Sequence, residues 1–495
     1  MTATITHERT VAVRSRRLPA GRADPLTTYL RLAERFGRDG VFLLESVAGP
    51  RADTRYSLVG FHPLLEVSVR RGLVRLRGVP GLVALVERRA GGLLNRIGDE
   101  LALLDRNHMW DVLRAVQDCF DSAGSAEEFR FGFLAFFGYD TARYIEKLPL
   151  LIEQEPELPD LSLVLHQGHV RIGPDGAAEV VVHSAAAWPD LPVEDLLGGG
   201  WLPETASEPS PVPSPVPISD SVSPDRYRTT VLRCLEHVAA GDIYQVQVGH
   251  ELTMRSDLDP VEAYRRLRER NPSPYMYLAP LAGHLVVGAS PELFARVERG
   301  VVTMRPIAGT LPCEPAGARV EDAARRLRQD PKEIAEHVML VDLCRNDIGR
   351  ICATGTLDVP QLLAVERYSR LLHLVSTVEG RVADGLDAYN VIAALFPSGT
   401  MTGAPKVRAM EIIEAVETTR RGLYAGALGL IDVGGYLNLA LCIRTLVHRD
   451  GVYRARASAG IVADSVPDRE WAETVAKLGA ARWAVCGEEA PACGS

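Results

Sequence analysis

Short apolar runs rich in β-forming residues, separated by polar residues, characterise the chain before residue 203. YSLVGF, LLEVSV, FGFLAFFGY and AAEVVVHS are examples, and such runs predict strands. Helical spacing of apolar residues occurs near residues 25–37 and 109–121. This part of the chain is therefore predicted to be mainly antiparallel sheet with few helices.

Beyond residue 222, helical and strand patterns follow one another without regular order. PKEIAEHVMLVDLCRN and DREWAETVAKLGAARWAV have helical spacing, whereas HLVVGA, GALGLIDV and LNLALCIRT are typical of strands. Many strands with helices that are not strictly interleaved favour an α+β fold over a doubly wound α/β fold.

The two parts are separated by PETASEPSPVPSPVPISDSVSP, a segment rich in proline, serine and acidic residues. Such a composition buries too little apolar surface to order itself and predicts a linker. The predicted organisation is an N-terminal domain at 1–202, a linker at 203–222, a second domain at 223–487 and a short tail at 488–495.

Composition narrows the class of protein. With 46% hydrophobic and 24% charged residues in 495 positions, the chain has the balance of a soluble protein with more than one core. A net charge of −9 provides no overall positive field, so nucleic acid is not expected as a partner. No apolar run approaches the ~20 residues of a membrane span, and the first residues lack the apolar core of a secretory signal. A cytoplasmic protein without membrane contact is predicted.

Paired carboxylates recur on two predicted helices. In QDPKEIAEHVML, Asp330 and Glu333 fit the start of a helix, and Glu336 lies further along the same face. In DREWAETVAKL, Glu470, Glu473 and Lys477 likewise lie along one face of a predicted helix. Two such helices together offer the oxygen ligands that Mg²⁺ prefers. Spacing alone favours the simpler interpretation of a Glu473–Lys477 surface ion pair and a solvated glutamate face.

Three segments rich in small residues offer backbone for close contact with a ligand. They are RPIAGT (305–310), FPSGTMTGAP (396–405) and SAGIVADS (458–465), and none fits a dinucleotide or P-loop fingerprint. Ordinary turns are the alternative. Arg444, in LCIRT, needs an anion, which is either a protein carboxylate or a substrate carboxylate. His373, in RLLHLVST, is most simply a core histidine.

The ordered motifs of residues 225–480 resemble those of the chorismate-utilising enzymes, above all anthranilate synthase component I. The resemblance implies an α+β fold in which two β-sheets pack as a core flanked by helices, with a smaller N-terminal regulatory region. The matching segments are GDIYQV, NPSPYMY, GASPELF, MRPIAGT, DPKEIAEHVMLVDLCRNDIGR, VERYSRLLHLVS, FPSGTMTGAPKVRAMEII and AGIVADSVPDREWAET.

The resemblance also implies a chemical function for individual residues, with chorismate as the substrate. Glu336 and Glu473 match the ligands of a Mg²⁺ ion. Glu292 matches the proposed general acid, which protonates the departing C4 hydroxyl as ammonia attacks C2. His373 matches the histidine associated with the later elimination of pyruvate, and Thr400 matches a hydroxyl that lines the pocket.

Further residues match contacts to the substrate. Tyr424 and Arg444 correspond to the residues that hold the enolpyruvyl carboxylate. Ser458 stands where the family usually has glycine, so that one contact gains a side chain. The remaining contacts are implied at Gly309, Thr310, Ala459, Gly460 and Lys477.

Two positions select the reaction within the family. Relatives that add water to chorismate carry a lysine in place of Gln245, a candidate catalytic position, and an amide cannot activate water as a base. Relatives that attack the ring with a lysine carry it in place of Ala308. Of the reactions considered, amination at C2 is the one that remains.

The expected function is accordingly that of an anthranilate synthase large subunit, which converts chorismate and ammonia to anthranilate and pyruvate in the first step of tryptophan biosynthesis. The alternative is a 2-amino-2-deoxyisochorismate synthase of secondary metabolism, which releases the aminated intermediate without eliminating pyruvate. No residue separates the two. A non-catalytic tryptophan sensor is a third possibility, and the retained catalytic residues argue against it.

The resemblance also implies regulation and a partner. FLLESVAGPRADTRYSLVG (42–60) resembles the segment that binds L-tryptophan as an inhibitor, with Ser46 in contact, together with Pro274, Tyr275 and Met276. A plain core strand is the alternative. Because no glutaminase domain with a Cys-His-Glu triad is found, ammonia is expected from glutamine through a glutamine amidotransferase subunit in a hetero-oligomer.

Overall fold

A computed structural model describes residues 10–98, 100–121, 124–192, 216–312, 318–368 and 371–488. Most of the predicted linker and nearly all of the predicted C-terminal tail lie outside these ranges. The last residues assigned to the linker contain the short strand Ile218–Asp220, which pairs with the strand Gln245–Arg255. The domain boundaries stay a prediction.

Several helices begin where the sequence supplies a cap. The side chains of Asp24, Ser223, Asp259 and Asp330 accept hydrogen bonds from backbone N–H groups of the first turn, and a proline follows each of them. The helix start predicted at Asp330 is thereby confirmed. The helices span Pro25–Phe36, Pro80–Arg89, Met109–Gln117, Pro224–Ala239, Pro260–Arg270, Ala318–Gln329, Pro331–Gly349, Ala388–Leu395, Gly399–Thr402, Lys406–Val416 and Pro467–Cys486.

The longer strands form two sheets with antiparallel pairing. The first sheet runs, from neighbour to neighbour, through Arg14–Arg22, Ala177–Ser184, Leu161–Ile172, Ser57–Arg70, Val41–Glu45, Tyr275–Leu281, His284–Ser290, Thr445–Arg449, Val452–Ile461, Gln245–Arg255 and Ile218–Asp220. The second runs through Leu94–Ile97, Glu100–Leu103, Leu73–Gly78, Ser57–Arg70, Leu161–Ile172, Gly132–Phe137, Ala427–Asp432, Leu437–Leu441, Leu293–Glu298, Val301–Met304, Leu371–Arg381 and Asp358–Tyr368.

Two long strands belong to both sheets and join them. Ser57–Arg70 and Leu161–Ile172 pair with each other along their length, and their remaining edges pair with different sheets at their two ends. Three short strands complete the pairing. Ile307–Pro312 lies beside Leu371–Arg381, Gly403–Ala404 lies beside the start of Gln245–Arg255, and Val11–Ala12 pairs in parallel with Phe120–Asp121.

The two sheets pack face to face, and helices cover their outer faces. Along Val41–Glu45, Phe42 points into the cluster between the sheets, whereas Val41 and Leu43 face the helices on the outside. The cluster between the sheets joins Phe42 to Phe136 and Leu428 of the second sheet. This arrangement confirms the predicted α+β fold of two packed sheets flanked by helices. Among the described residues, no helix is both long enough and apolar enough to cross a membrane.

Three buried histidines make the fold sensitive to acid. His166, His169 and His183 lie on two neighbouring strands, and the rings of His169 and His183 are 5.7 Å apart. Burial lowers the pKa of His166 and of His183 to about 3, and the pKa of His169 falls well below its usual value. The folded protein therefore keeps these rings neutral under mildly acidic conditions.

Lowering the pH from 7.5 to 5 is expected to destabilise the protein strongly. Below pH ~6.5 the unfolded chain binds protons on these three imidazoles, whereas the folded chain does not until the pH approaches their depressed pKa values, so the free energy of unfolding falls with pH. The loss is on the order of 2 kcal/mol per histidine at pH 5. Thermal unfolding at a series of pH values measures it, and an unchanged Tm between pH 7.5 and 5 would contradict the burial of neutral rings.

Candidate active site

The predicted catalytic and binding residues come together from both sheets and from two helices. Glu333 and Glu336, on Pro331–Gly349, lie within electrostatic range of Glu473 on Pro467–Cys486. Arg444 and Lys477 act electrostatically on Glu292, which lies between two strands. Residues distant in the sequence thus line one site.

Glu292 is a buried carboxyl group that carries a proton at neutral pH. Its side chain is 8% exposed, and Oε1 accepts a hydrogen bond of 3.3 Å from Thr400 Oγ1, which lies 2.8 Å from Ser398 Oγ. Burial raises the pKa of Glu292 to about 8, although the Thr400 hydrogen bond and the charges of Arg444 and Lys477 oppose the shift. A carboxylic acid of this kind can donate a proton to a leaving group.

His373 is held as a neutral ring of defined tautomer. Its Nδ1 lies 3.0 Å from the backbone oxygen of Gly309, which can only accept, so Nδ1 carries the proton and Nε2 does not. Burial lowers the pKa of His373 to about 4. The Tyr368 ring packs edge-on against it at 5.6 Å. His373 can therefore act as a base through Nε2.

Arg444 has the features of a receptor for an external carboxylate. It follows the strand Leu437–Leu441 with φ of 51°, and burial lowers its pKa while the charge of Glu292 opposes this. Within the part of the chain that the structure describes, no side chain forms a hydrogen bond or an ion pair with its guanidinium. A permanently charged group in this position suits an anionic ligand.

Two glycines allow neighbouring side chains to lie directly against the backbone of the site. At Gly309, which has φ of 62°, an added Cβ would lie 2.9 Å from Leu327 Cδ1 and 3.0 Å from Glu333 Oε2. At Gly460 it would lie 2.5 Å from Gln245 Nε2 and 2.9 Å from Gln247 Nε2. Gln245 Oε1 is buried and has no hydrogen-bond partner among the described residues. The two amides therefore lie directly against the Gly460 backbone, where any residue larger than glycine would collide with them.

Three further residues are predicted to contact the substrate, and the structure gives each a different environment. The Ala459 side chain packs in the hydrophobic core, so only its backbone is available to a ligand. The backbone of Thr310 pairs with His373, while its side chain lies outside what the structure describes. Lys477 Nζ donates to the backbone oxygen of Ser458 at 2.9 Å and pairs with Glu473 at 2.6 Å. The ion pair considered from sequence spacing thus forms at the edge of the site.

The acidic residues of the two helices repel one another. Burial is the main factor that raises the pKa of Glu333, Glu336 and Glu470, and the charge of Glu473 raises each of them further. Glu336 lies 3.6 Å from Lys332, its nearby cation. No group of three or more described Asp, Glu, His or Cys side chains converges as a complete set of metal ligands. The oxygen-only donors and excess negative charge nevertheless fit a hard cation that also takes water and an anionic substrate.

The predicted tryptophan contacts line a separate pocket of about 540 Å³. Ser46, Pro274, Tyr275 and Met276 all border it. Ser46 Oγ donates to the Pro274 backbone oxygen at 3.0 Å. The leucine-rich segment considered as a plain strand is indeed the buried strand Val41–Glu45, and its C-terminal end borders the pocket.

Sequence reasoning missed two polar residues in these sites. The Gln247 side chain lies against Gly460 beside that of Gln245, and we call these three residues the cradle. The spacing of two between the glutamines on one strand is the signal that could have found Gln247. Asp53 is a buried carboxylate that pairs with Arg305 and accepts hydrogen bonds from Tyr275 and Tyr368 at 3.0 and 3.1 Å. No sequence pattern indicates Asp53, because its partners lie hundreds of residues away.

Comparisons with known proteins point to one enzyme family. A family model described as chorismate binding enzyme matches residues 94–482. The chain is 57% identical to 2-amino-4-deoxychorismate synthase of Streptomyces globisporus, over 97% of this chain and 98% of that protein. It is 35% identical to anthranilate synthase component 1 of Acetivibrio thermocellus, over 90% of each chain. The crystal structure of anthranilate synthase component I from Streptococcus pneumoniae TIGR4 superposes with a TM-score of 0.72, at 28% identity over 87% of this chain and 92% of that one.

These similarities correct the function expected from the motifs. The expectation of an anthranilate synthase large subunit is wrong, because the chain shares far more identity with the aminodeoxychorismate synthase than with the anthranilate synthases. The error has a chemical cause. The expectations for Gln245, Ala308 and Glu292 concern only attack at C2 and loss of the C4 hydroxyl. Those expectations do not address whether the C3 ether breaks afterwards.

Proposed function

The chain belongs to the chorismate-binding enzymes, and from this premise we propose that it aminates chorismate at C2 and releases the product with its enolpyruvyl ether intact. The observation that carries the proposal is the 57% identity to 2-amino-4-deoxychorismate synthase over nearly the whole of both chains. That name and 2-amino-2-deoxyisochorismate describe one compound, with an amino group at C2, the ether at C3 and no hydroxyl at C4. The proposal is therefore the secondary-metabolic alternative formulated from the sequence.

The described residues supply the parts of this reaction. Arg444 binds the enolpyruvyl carboxylate, and the backbone at Gly309 and Gly460 lies against the ring. Nitrogen forms a bond to C2, both ring double bonds shift, and the C4–O bond breaks. The hydroxyl leaves as water after taking the proton of Glu292, whose raised pKa keeps that proton available at neutral pH. The ammonium group formed at C2 then loses a proton, which balances the one that Glu292 gave.

We infer that Glu336 and Glu473 hold a Mg²⁺ ion at the carboxylate end of this site. When bound, the ion supplies positive charge that neutralises and orients the ring carboxylate of chorismate. Lys332 and Lys477, which contact these glutamates in the described structure, would turn away from them. Glu333 and Glu470 would provide the surrounding negative charge.

Replacing Glu473 by glutamine is expected to raise the Mg²⁺ concentration needed for half-maximal activity by roughly tenfold or more. The substitution removes one charged oxygen ligand and leaves the size of the side chain almost unchanged. Titration calorimetry with Mg²⁺ in the presence of chorismate measures the affinity independently of turnover. Glu236→Gln, at an exposed helix position, is the matched control, and equal Mg²⁺ affinity in both variants would contradict the assignment.

We propose that ammonia reaches this site from glutamine through a separate glutamine amidotransferase subunit, in a hetero-oligomer. The resemblance to anthranilate synthase component I supports this proposal. The isolated chain should then use ammonium salts and fail to use glutamine. Turnover of glutamine by the isolated chain would contradict it.

The pocket beside Ser46 is proposed to bind tryptophan. It is bordered by a hydroxyl and backbone oxygens that suit an ammonium group, and by apolar side chains such as Met276 and Leu430 that suit an indole ring. Binding would replace the Ser46–Pro274 hydrogen bond. Calorimetric titration with tryptophan tests the proposal, and the absence of saturable heat at millimolar concentrations would contradict it.

The experiment that tests amination uses the purified chain, chorismate, Mg²⁺ and ¹⁵N-labelled ammonium. Mass spectrometry should find a product that contains one ¹⁵N atom and all the carbon atoms of chorismate. A product that has gained water instead of labelled nitrogen would contradict amination and favour a hydroxyl-transferring enzyme.

A further inference from the structure

The hydroxyl of Ser458 stands in the middle of a chain of hydrogen bonds. Ser458 Oγ donates to Gln247 Oε1 at 2.9 Å and lies 2.7 Å from the hydroxyl oxygen of Tyr424. A serine hydroxyl has one proton. Because that proton points to Gln247, the Tyr424 hydroxyl must donate its own proton to Ser458. The direction of the chain is thus Tyr424 to Ser458 to Gln247.

The three hydrogen-bonded side chains are largely enclosed by protein, and Gln247 lies beside Gly460. Ser458 is 2% exposed and Tyr424 is 8% exposed. The Ser458 backbone oxygen accepts from Lys477, and the Gln247 backbone oxygen accepts from Arg421. Gln247 Nε2 lies only 2.9 Å from the position of a Cβ at Gly460, at the proposed ring site. The hydrogen bonds of Ser458 therefore determine whether the Tyr424 hydroxyl and Gln247 Nε2 point toward the substrate.

The geometry points to Ser458 as the residue that keeps the C3 ether of the aminated product intact. This inference rests on the proposed function. Ser458 does so by taking the only proton of Tyr424, so that Tyr424 cannot donate it to the enolpyruvyl group. Ser458 Oγ also donates to Gln247 Oε1. This hydrogen bond fixes the orientation of the amide, so that Gln247 Nε2 faces the ring.

The step that Ser458 opposes is an elimination. A base takes the proton from C2, the C3–O bond breaks, its electron pair goes to the oxygen of enolpyruvate, and the ring becomes aromatic. Enolpyruvate then takes a proton on its methylene carbon and becomes pyruvate. Negative charge grows on the departing oxygen, and a hydrogen-bond donor at this point lowers the barrier. In this structure Tyr424 donates its proton to Ser458 Oγ, so the proton is not available to the departing oxygen.

Ser458→Ala and Ser458→Gly are expected to raise the ratio of pyruvate to aminated product at least tenfold. Both variants release the Tyr424 proton, and the alanine variant does so without leaving more than an oxygen-sized gap. Ser458→Thr keeps the hydroxyl and should retain the partition of the wild-type protein. Pyruvate is assayed enzymatically, and the aminated product and anthranilate are separated by chromatography and weighed by mass spectrometry.

Two further variants separate this role from a structural one. Ser162→Ala also removes a buried serine hydroxyl, which has no hydrogen-bond partner among the described residues, and should leave the partition unchanged. Adding Tyr424→Phe to Ser458→Ala should abolish the gain in pyruvate, because the released proton is gone.

Two outcomes overturn the inference. One is an unchanged partition in Ser458→Ala and Ser458→Gly while chorismate is still consumed. The other is an equal rise of pyruvate with and without Tyr424→Phe. Stoichiometric pyruvate from the wild-type protein would instead refute the proposed function, and it is measured before any variant is made.

Discussion

Replacing Glu292 by glutamine is expected to lower the rate of chorismate consumption by about 10²–10⁴-fold. The glutamine has nearly the same shape and can accept the Thr400 hydrogen bond, but it cannot give a proton to the C4 hydroxyl. Since burial raises the pKa of Glu292 to about 8, the wild-type side chain is neutral near pH 7. The substitution therefore exchanges one neutral group for another and should leave the Tm within a few degrees of its original value.

The pH dependence provides an independent check on Glu292. The acid form is the active one, so the wild-type rate should fall as the pH rises through about 8. Steady-state rates between pH 6.5 and 9.5 measure this, with Mg²⁺ and free ammonia held constant. A Glu292→Gln variant that keeps more than a tenth of the activity, or a wild-type rate that is flat across pH 8, would contradict its role as the acid.

Replacing Glu417 by alanine is expected to destabilise the fold by about 3–5 kcal/mol. Glu417 is fully enclosed and accepts hydrogen bonds from Arg421 at 2.8 and 3.0 Å, Arg456 at 2.7 Å and the Gly249 N–H at 2.9 Å. Burial by itself raises the pKa of Glu417, but Arg421 and Arg456 together hold it below its usual value. Without Glu417, two guanidinium groups would lose their buried counter-charge.

The matched control for Glu417 is Glu411→Ala. Glu411 pairs with Arg408 at 2.9 Å on an exposed helix surface, where such a pair contributes about 0–1 kcal/mol. Urea unfolding of both variants gives the comparison. A loss below about 1 kcal/mol for Glu417→Ala would mean that the Arg421–Glu417–Arg456 cluster does not support the fold. Because Arg421 also donates to the Gln247 backbone oxygen, the variant should weaken the cradle as well.

Much of the fold could be predicted from local sequence patterns. The segment that contains Phe42 and Leu43 forms a buried strand, which is one of the two interpretations of its sequence, and the Asp330–Pro331 pair begins a helix as predicted. The joining of the two sheets could not be predicted. It depends on Ser57–Arg70 and Leu161–Ile172 pairing along their length, and no short-range pattern records which distant strands meet.

The candidate site, too, could be predicted only in part from the sequence. Arg444 could be identified as a residue in need of an anion. Only the tertiary structure places it within electrostatic range of Glu292 but without an ion pair to any described carboxylate. Ser458 could be identified as a departure from a glycine motif. The effect of the Ser458 hydroxyl could not be predicted, because it depends on contacts with Tyr424, in a turn, and with Gln247, on a neighbouring strand.

The stoichiometry of pyruvate tests the central claim most directly. The isolated chain is incubated with a limiting amount of chorismate, Mg²⁺ and excess ammonium until the chorismate is consumed, and pyruvate and anthranilate fluorescence are then measured. The account predicts that nearly all the chorismate becomes aminated product, with almost no pyruvate and no anthranilate. One pyruvate and one anthranilate for each chorismate consumed would contradict it.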